Sequence, residues 1–299
     1  MDVSVIIVNY NTISLLVDAV DSVIEKTESI EYEIIVVDNA SSDNSKNILA
    51  EKYGNKVIFI SLSENIGFGR ANNEAVKIAK GRNLFFLNPD TILLNNAVKI
   101  LSDYLDNNPR VGCCGGNLVD NDGKPVHSFA RFFFSLIFDE INQLFMRLPE
   151  KTLYGKNAFY NYTDKPLKVC FITGADLMIK KNLFKILNGF DPDFFMYYED
   201  SELEHRVNKA GYKIYSIPNA LIKHLEGKSF SNSLDRQRRI YYSRNIFLKK
   251  TNNIIVIFVI NTLVRLKIIS RLIIFTIFQN REKRILWSNQ YKLILKEKI

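Results

Sequence analysis

Asn88 and Asp90 flank Pro89 directly after four apolar residues, Leu84 to Leu87. Pro89 has no N–H to give to a sheet ladder, so a buried strand should stop there and leave Asn88 and Asp90 at its carboxyl edge. A carboxylate in that place suits a hard cation that keeps part of its water shell and shares oxygens with a diphosphate. The plainer alternative is an ordinary turn acid. Two other strand ends offer similar chemistry: Val3 to Val8 runs into Asn9, Tyr10 and Asn11, and Glu33 to Val37 runs into Asp38 and Asn39. Tyr10 can stack on a base or ribose, or simply pack. Asp38 can accept hydrogen bonds from a nucleobase or sugar hydroxyl, or organise Ser41 and Ser42 in an Asx turn.

A second cluster, GFDPDFFMYYEDSELE, places Glu199 and Asp200 behind Phe194, Phe195, Met196, Tyr197 and Tyr198. A carboxylate partly stripped of water by such neighbours holds a proton more tightly, which suits removal of a proton from an attacking hydroxyl. Asp200 is favoured for that task and Glu199 is kept beside it. The alternative is two acids placed in a first helical turn by the helix dipole. His224, one of three histidines, follows a strand and precedes Gly227 and Ser229, where a metal or diphosphate role competes with simple packing.

The elements that must position these residues alternate. Apolar runs at Val3–Val8, Glu33–Val37, Val57–Ser61 and Leu84–Leu87 are each separated by a helical pattern. Thr12 or Ser14 should cap the first helix, and the others are expected near Ser45 to Lys52 and over Arg70 to Lys80. Strands without a polar face imply an α/β fold with a mostly parallel central sheet and helices on both faces. In such a sheet the carboxyl ends share one rim, so Asn9, Tyr10, Asp38, Asn39, Asn88 and Asp90 can line one pocket. Later, Val169 to Ile179 reads as a strand pair turning at Thr173, Gly174 and Ala175. A helix over Ser201 to Ala210 should end at Gly211, and a strand over Tyr212 to Ile217 should stop before Pro218. No GxGxxG follows the first strand, which disfavours a dinucleotide-binding dehydrogenase.

The net charge of +8 is unevenly spread: from Asp235 onward there are 15 Lys and Arg against 3 acids, whereas residues 1 to 234 hold 25 against 29. A nearly neutral body with a basic, apolar tail points to a surface of fixed negative charge. The stretch Ile254 to Phe278 is apolar enough to suggest a span, but Arg265, Lys267 and Arg271 sit within it, and each costs roughly 2.5–3.5 kcal/mol at a bilayer centre. Helices lying in the membrane interface fit better, with Trp287 as an anchor. The alternative is a helical extension packed on the rest of the chain or on a second subunit. Phe129 to Leu148 forms another apolar stretch, suited to covering the sheet or touching a lipid-linked acceptor. Three cysteines without CxxC spacing suggest buried free thiols. No signal peptide is evident, so the expected place is the cytoplasm.

Seven segments carry a resemblance: VSVIIVNYN at 3–11, EIIVVDNASSDNS at 33–45, NIGFGRANNEA at 65–75, LFFLNPDT at 84–91, TGADLMIKK at 173–181, GFDPDFFMYYEDSELEHRVNKAGYKI at 189–214 and HLEGKSF at 224–230. In this order and spacing they resemble the family 2 glycosyltransferases of GT-A fold, above all their bacterial rhamnosyltransferase-like branch. The resemblance implies a GT-A catalytic domain over 1–235 and a basic helical extension over 236–299. Within the domain, 1–120 would form the nucleotide-sugar-binding half and 121–235 the acceptor-binding half. It places Asn9, Tyr10, Asp38, Asn39, Arg70, Asn73 and Asn88 near a dTDP- or UDP-sugar donor. Thr173, Gly174, Ala175 and Tyr198 fall on the acceptor side, Asp90 and His224 at a Mg²⁺ or Mn²⁺ ion, and Asp200 at the base. Asn88 departs from the commoner Asp-x-Asp, and Glu202 stands where the branch more often has Asp.

The implied reaction is an inverting transfer of a sugar, rhamnose among the candidates, to a hydroxyl of a lipid-linked cell-surface glycan. It would take place at the anionic inner face of the cell membrane, with peripheral attachment and with a homodimer left open. A sugar-1-phosphate nucleotidyltransferase is the competing enzyme, although Asn9-Tyr10-Asn11-Thr12 lacks its Gly-rich basic loop. A basic nucleic-acid- or membrane-binding protein is the competing non-enzyme. The tail lacks interleaved stacking aromatics, which argues against nucleic acid as a partner.

Overall fold

The structure, a computed structural model, describes residues 1–131, 135–225 and 233–296. The end of the HLEGKSF segment (226–230) and residues 132–134 of the aromatic stretch lie outside the described residues. The chain forms two compact units, Met1–Arg131 with Phe159–Ser231, and Phe132–Ala158 with Asn232–Ile299.

The first unit opens with β1 (Val3–Asn9), α1 (Ile13–Lys26), β2 (Tyr32–Asp38), α2 (Ser45–Tyr53), β3 (Val57–Ser61), α3 (Phe68–Ile78) and β4 (Asn83–Leu87). It continues with β5 (Thr91–Leu93), α4 (Ala97–Asn107), β6 (Val111–Val119) and β7 (Phe129–Ala130). Helices α5 (Ser135–Leu144) and α6 (Leu148–Tyr154) belong to the second unit. The chain then returns to the first unit for β8 (Leu167–Val169), β9 (Phe171–Ile172), β10 (Asp176–Lys180), α7 (Lys181–Ile186), α8 (Glu199–Lys209) and β11 (Lys213–His224).

The main sheet runs β3-β2-β1-β4-β10-β6-β11-β5, with β8 on the flank of β11. Strands β1 to β4 pair in parallel, as their unbroken apolar runs predict. Strand β10 enters between β4 and β6 antiparallel to both, so the parallel character belongs to the amino-terminal strands and to the β6–β11 pair. Alternating side chains feed two cores. Val3, Val5 and Ile7 of β1 meet α1, α2 and α4 on one face, while Ile6 and Val8 meet α3, α7 and α8 on the other.

Two expectations change. Strand β11 does not stop before Pro218: its register with β6 shifts between Ser216 and Leu221, and it continues to His224. A bulge is where a proline without a donor fits inside a strand. Helix α1 is not capped by the Thr12 side chain; the Asp43 carboxylate accepts the Ile13 N–H at 3.0 Å, and Thr12 Oγ1 donates to Asn9 instead.

The second unit contains α5, α6, α9 (Ser233–Thr251), α10 (Ile254–Ile277) and α11 (Arg281–Lys296). The aromatic stretch over α5 packs on α10. Glu140 of α5 accepts hydrogen bonds from Lys267 Nζ at 2.6 Å and Arg244 at 2.7 Å, and all three side chains are buried. Lys267 also reaches Gln143 Oε1, and Arg271 donates to the Gln143 and Leu144 carbonyls. Two of the three cations expected to face lipid headgroups are therefore inside. Trp287 is partly buried and, with Tyr241, Leu272 and Tyr291, packs around Val264 and Ile268. Among the described residues no helix is long and apolar enough to cross a membrane.

Candidate active site

Because β1, β2 and β4 are parallel neighbours, Asn9, Asp38 and Asn88 emerge on one rim. Strand β10 starts at that rim, since Asp176 pairs with Leu87, and β11 ends there at His224, opposite Thr91. The rim is then stitched together by direct contacts.

Asn9 is fully buried at the end of β1. Its amide donates to Asp38 Oδ1 at 2.9 Å, Ser41 Oγ at 3.0 Å and Ser45 Oγ at 2.8 Å, and its carbonyl oxygen accepts from Thr12. Asn9 thus orients Asp38 and has no face towards a pocket. Asp38 Oδ2 accepts the Ser41 N–H, so the Asx-turn geometry is realised in a carboxylate that also lies at the rim. Tyr10 is 48% exposed beside them. Asn39 bridges to the next loop, donating to Asn65 Oδ1 and Gly67 O and accepting the Ile66 N–H. At Gly67, φ is +91° and an added Cβ would collide with the Phe195 carbonyl, which also accepts the Phe68 N–H. That carbonyl ties the start of α3 to the aromatic loop before α8.

Arg70 and Asn73 of α3 clasp the same loop. Arg70 Nε donates to Pro192 O at 2.7 Å, and Asn73 exchanges two hydrogen bonds with the Phe190 backbone. Arg70 is exposed, whereas the Asn73 amide is engaged with protein. Tyr197 and Tyr198 follow with φ of 70° and 68°, a left-handed pair unusual for non-glycine residues. Their turn starts α8 at Glu199. Glu202, whose role the sequence left open, forks onto Arg206 at 2.5–2.9 Å, and Arg206 donates to the Leu187 and Gly189 carbonyls.

Glu199 and Asp200 have different surroundings. Glu199 is buried, its Oε2 meets no hydrogen-bond partner among the described residues, and desolvation together with the neighbouring Asp200 pushes its pKa up to about 8. It is a neutral acid at pH 7. Asp200 is also raised by burial, but hydrogen bonds from the Ser201 and Gly174 N–H groups and from the Ser201 hydroxyl oppose that rise. Of the two, Asp200 is better able to carry negative charge. Its Oδ2 lies 3.0 Å from Gly174 N. Next in chain, Ala175 O accepts the Asn88 N–H at 2.9 Å, which joins the Thr173-Gly174-Ala175 turn to the Asn88-Pro89-Asp90 turn.

Asp90 is 4% exposed, and its Oδ1 lies 3.4 Å from His224 Nε2. The Leu225 N–H donates to the Asp90 carbonyl, so strand pairing fixes the two side chains together. One carboxylate oxygen and one imidazole nitrogen could hold a divalent ion and leave its other positions to oxygen ligands. Mn²⁺ accepts such a mixed set readily. Among the described residues no group of three His, Cys, Asp or Glu side chains assembles as a metal cage. The three cysteines are free thiols, with Cys113 and Cys114 buried and Cys170 partly so.

A profile described as "Glycosyl transferase family 2" matches residues 4–182. The chain belongs to this family. It is similar to the N-acetylglucosaminyl-diphospho-decaprenol L-rhamnosyltransferase of Mycobacterium tuberculosis, with 27% identity over 66% of this chain and 67% of that protein. It is also similar to the O-antigen chain rhamnosyltransferase WbaN of Salmonella anatum, with 30% identity over 64% of this chain and 56% of that one. These relatives place this family 2 glycosyltransferase in the rhamnosyltransferase-like branch. In fold it is similar to a mannosyltransferase from Pyrobaculum calidifontis solved with GDP-Man and Mn²⁺. The TM-score is 0.59 and the identity 16%, over 98% of this chain and 80% of that one. The architecture is accordingly GT-A.

Sequence reasoning missed two residues at this site. Asp176 is fully buried at the rim end of β10 and accepts the Gly116 N–H at 2.5 Å, and desolvation pushes its pKa well above the ordinary carboxylate value. Glu204, one helical turn beyond Asp200, is fully buried, and desolvation with the nearby Asp200 pushes its pKa well above the ordinary carboxylate value. Nothing in local composition separates either from a surface acid of a strand or helix.

Proposed function

We propose that this family 2 glycosyltransferase moves a sugar, rhamnose first among the candidates, from a dTDP- or UDP-sugar to a hydroxyl of a lipid-linked cell-surface glycan, with inversion. The observation that carries this reading is a rim of adjoining segments: Asp38-Asn39 bonds to the 65–67 loop, Phe68 to the Phe195 carbonyl of the loop that leads into Asp200, Asp200 to the 173–175 turn, that turn to the Asn88-Pro89-Asp90 turn, and Asp90 meets His224. Tyr10 and Asp38 would hold the nucleoside and Arg70 the donor's charged portion, with Asn9, Asn39 and Asn73 bracing the loops that present them. Thr173, Gly174 and Tyr198 would face the acceptor. Asp200 accepts the proton of the acceptor hydroxyl as its oxygen bonds to the anomeric carbon and the bond to the diphosphate breaks. A Mg²⁺ or Mn²⁺ ion held by Asp90 and His224 would offset charge on the departing diphosphate.

The name of the mycobacterial relative specifies a diphospho-decaprenol acceptor, which supports a lipid-linked acceptor here. The basic charge of the second unit supports a peripheral position at the inner leaflet; a homodimer has no comparable support. Family membership also tells against the nucleotidyltransferase and nucleic-acid alternatives. The deciding experiment is thermal-shift screening against nucleotide-sugars with Mg²⁺, Mn²⁺ or EDTA. A nucleoside diphosphate should raise the unfolding temperature in the presence of metal and little in EDTA, because ligands that bind only the folded state stabilise it. Equal shifts with and without metal would remove the ion from the scheme.

A further inference from the structure

Helix α8 carries three polar side chains four residues apart, Asp200, Glu204 and Asn208, and all three bond to one extended segment. Asp200 Oδ2 accepts the Gly174 N–H at 3.0 Å, Glu204 Oε1 accepts the Ile172 N–H at 2.7 Å, and Asn208 Nδ2 donates to Cys170 O at 3.2 Å. The match is geometric. Four residues of α-helix rise about 6.0 Å, and two residues of strand rise about 6.6 Å. A helical stripe therefore keeps step with every second residue of an antiparallel strand for three rungs.

The opposite edge of the segment is taken by β7, where Phe129 pairs with Ile172 and the Thr173 N–H donates to Ser128 O. Among the described residues no strand pairs with the segment on the α8 side, so the side-chain ladder stands in for a neighbouring strand. At the top rung the fit is tight: a Cβ on Gly174 would come within 2.7 Å of Asp200 Oδ2.

We infer that Glu204 is a positioning residue for transfer, a middle rung that sets the distance between the Asp200 carboxylate and the Thr173-Gly174 turn. This rests on Asp200 being the base. Glu204 makes its rung with Oε1 while Oε2 meets no hydrogen-bond partner among the described residues, so the fixed requirement at this position is an acceptor for the Ile172 N–H. An ionised Glu204 would lie one turn from Asp200 and near Asp176; as a neutral acid it gives the same acceptor without adding charge. Glutamine keeps that acceptor, whereas leucine removes it and leaves the Ile172 N–H buried and unpaired.

The test is steady-state transfer by E204L, E204Q and N208A, with donor Kd measured alongside. E204L should lower kcat by about 10- to 100-fold with donor Kd within about twofold of the parent, the range expected when a catalytic group shifts by a fraction of an ångström to about one ångström. E204Q should recover kcat to within about threefold, because its carbonyl restores the rung. N208A, at the partly exposed outer rung, keeps the test alive if E204L does not fold, and should lower kcat by a smaller factor with the same unaltered donor Kd. Parent-like kcat in E204L or N208A would overturn the inference. So would an E204Q as impaired as E204L, or a loss seen equally in kcat and in the fraction of protein that binds donor. A parent enzyme that turns over no nucleotide-sugar, or a D200N variant that still does, would instead break the reading on which the inference rests.

Discussion

At the scale of single residues, the carboxylates of this site are sorted by what surrounds them. Asp200 has donors on both oxygens, while Glu199 has one oxygen without a partner inside the protein, so the same helix start holds one acid suited to charge and one that keeps its proton. D200N should reduce transfer to background while isothermal titration still finds donor affinity close to the parent's; lost donor affinity would reassign the residue. Glu199 makes a pH prediction with a definite sign. Its folded pKa of about 8 lies above its ordinary value of 4.5, so between those values the folded state holds a proton that the unfolded state has released. Stability therefore falls as pH rises through that window, with the full penalty reached above pH 8. E199Q cannot ionise, so its unfolding temperature minus that of the parent should grow steadily from about pH 5 to pH 8.5. A constant difference across that range would mean that Glu199 is charged throughout.

At the scale of elements, legibility depended on whether the signal was local. Strands β1 to β4 could be read because each is an apolar run bounded by polar turn residues, and the rim followed from parallel pairing. Strand β6 gave no such signal: VGCCGGNLV has little β-branched content, and Gly116 answers to the bulge of β11, where an added Cβ would meet the Ala220 backbone. The Asp90–His224 pair could be suspected only from the resemblance, because its proximity comes from β5–β11 register across more than a hundred residues. The second unit was hardest, since the helical wheel of α10 cannot say which side faces Glu140. That buried acid bears Lys267 and Arg244 together. E140A would leave two cations in a dry interior, a change that costs on the order of 3–5 kcal/mol. Chemical denaturation should show that loss of stability, and K267M in the same background should recover part of it. An E140A protein as stable as the parent would show that water reaches these cations.

At the scale of the whole molecule, the inward turn of Lys267 and Arg271 changes what α10 presents outside. Its exposed side chains include Ile255, Phe258, Leu266, Ile269, Ile273 and Ile277 along one stripe, with Arg265 as the charged member. Basic residues of α11 border it: Arg284 and Lys292 line a cleft with Leu272 and Thr276. An apolar stripe edged by cations suits an anionic bilayer surface, where burial and charge attraction add. It suits a second copy poorly, because two such basic tails would repel. The full chain should float with vesicles containing phosphatidylglycerol and far less with phosphatidylcholine alone. Raising salt to about 0.5 M should weaken the association by screening. I269S/I273S changes exposed positions, so it should fold normally, keep turnover of a water-soluble acceptor analogue, and lose most vesicle binding. Binding indifferent to lipid charge and to this pair, or a salt-resistant dimer in sedimentation, would assign the stripe to a protein partner instead.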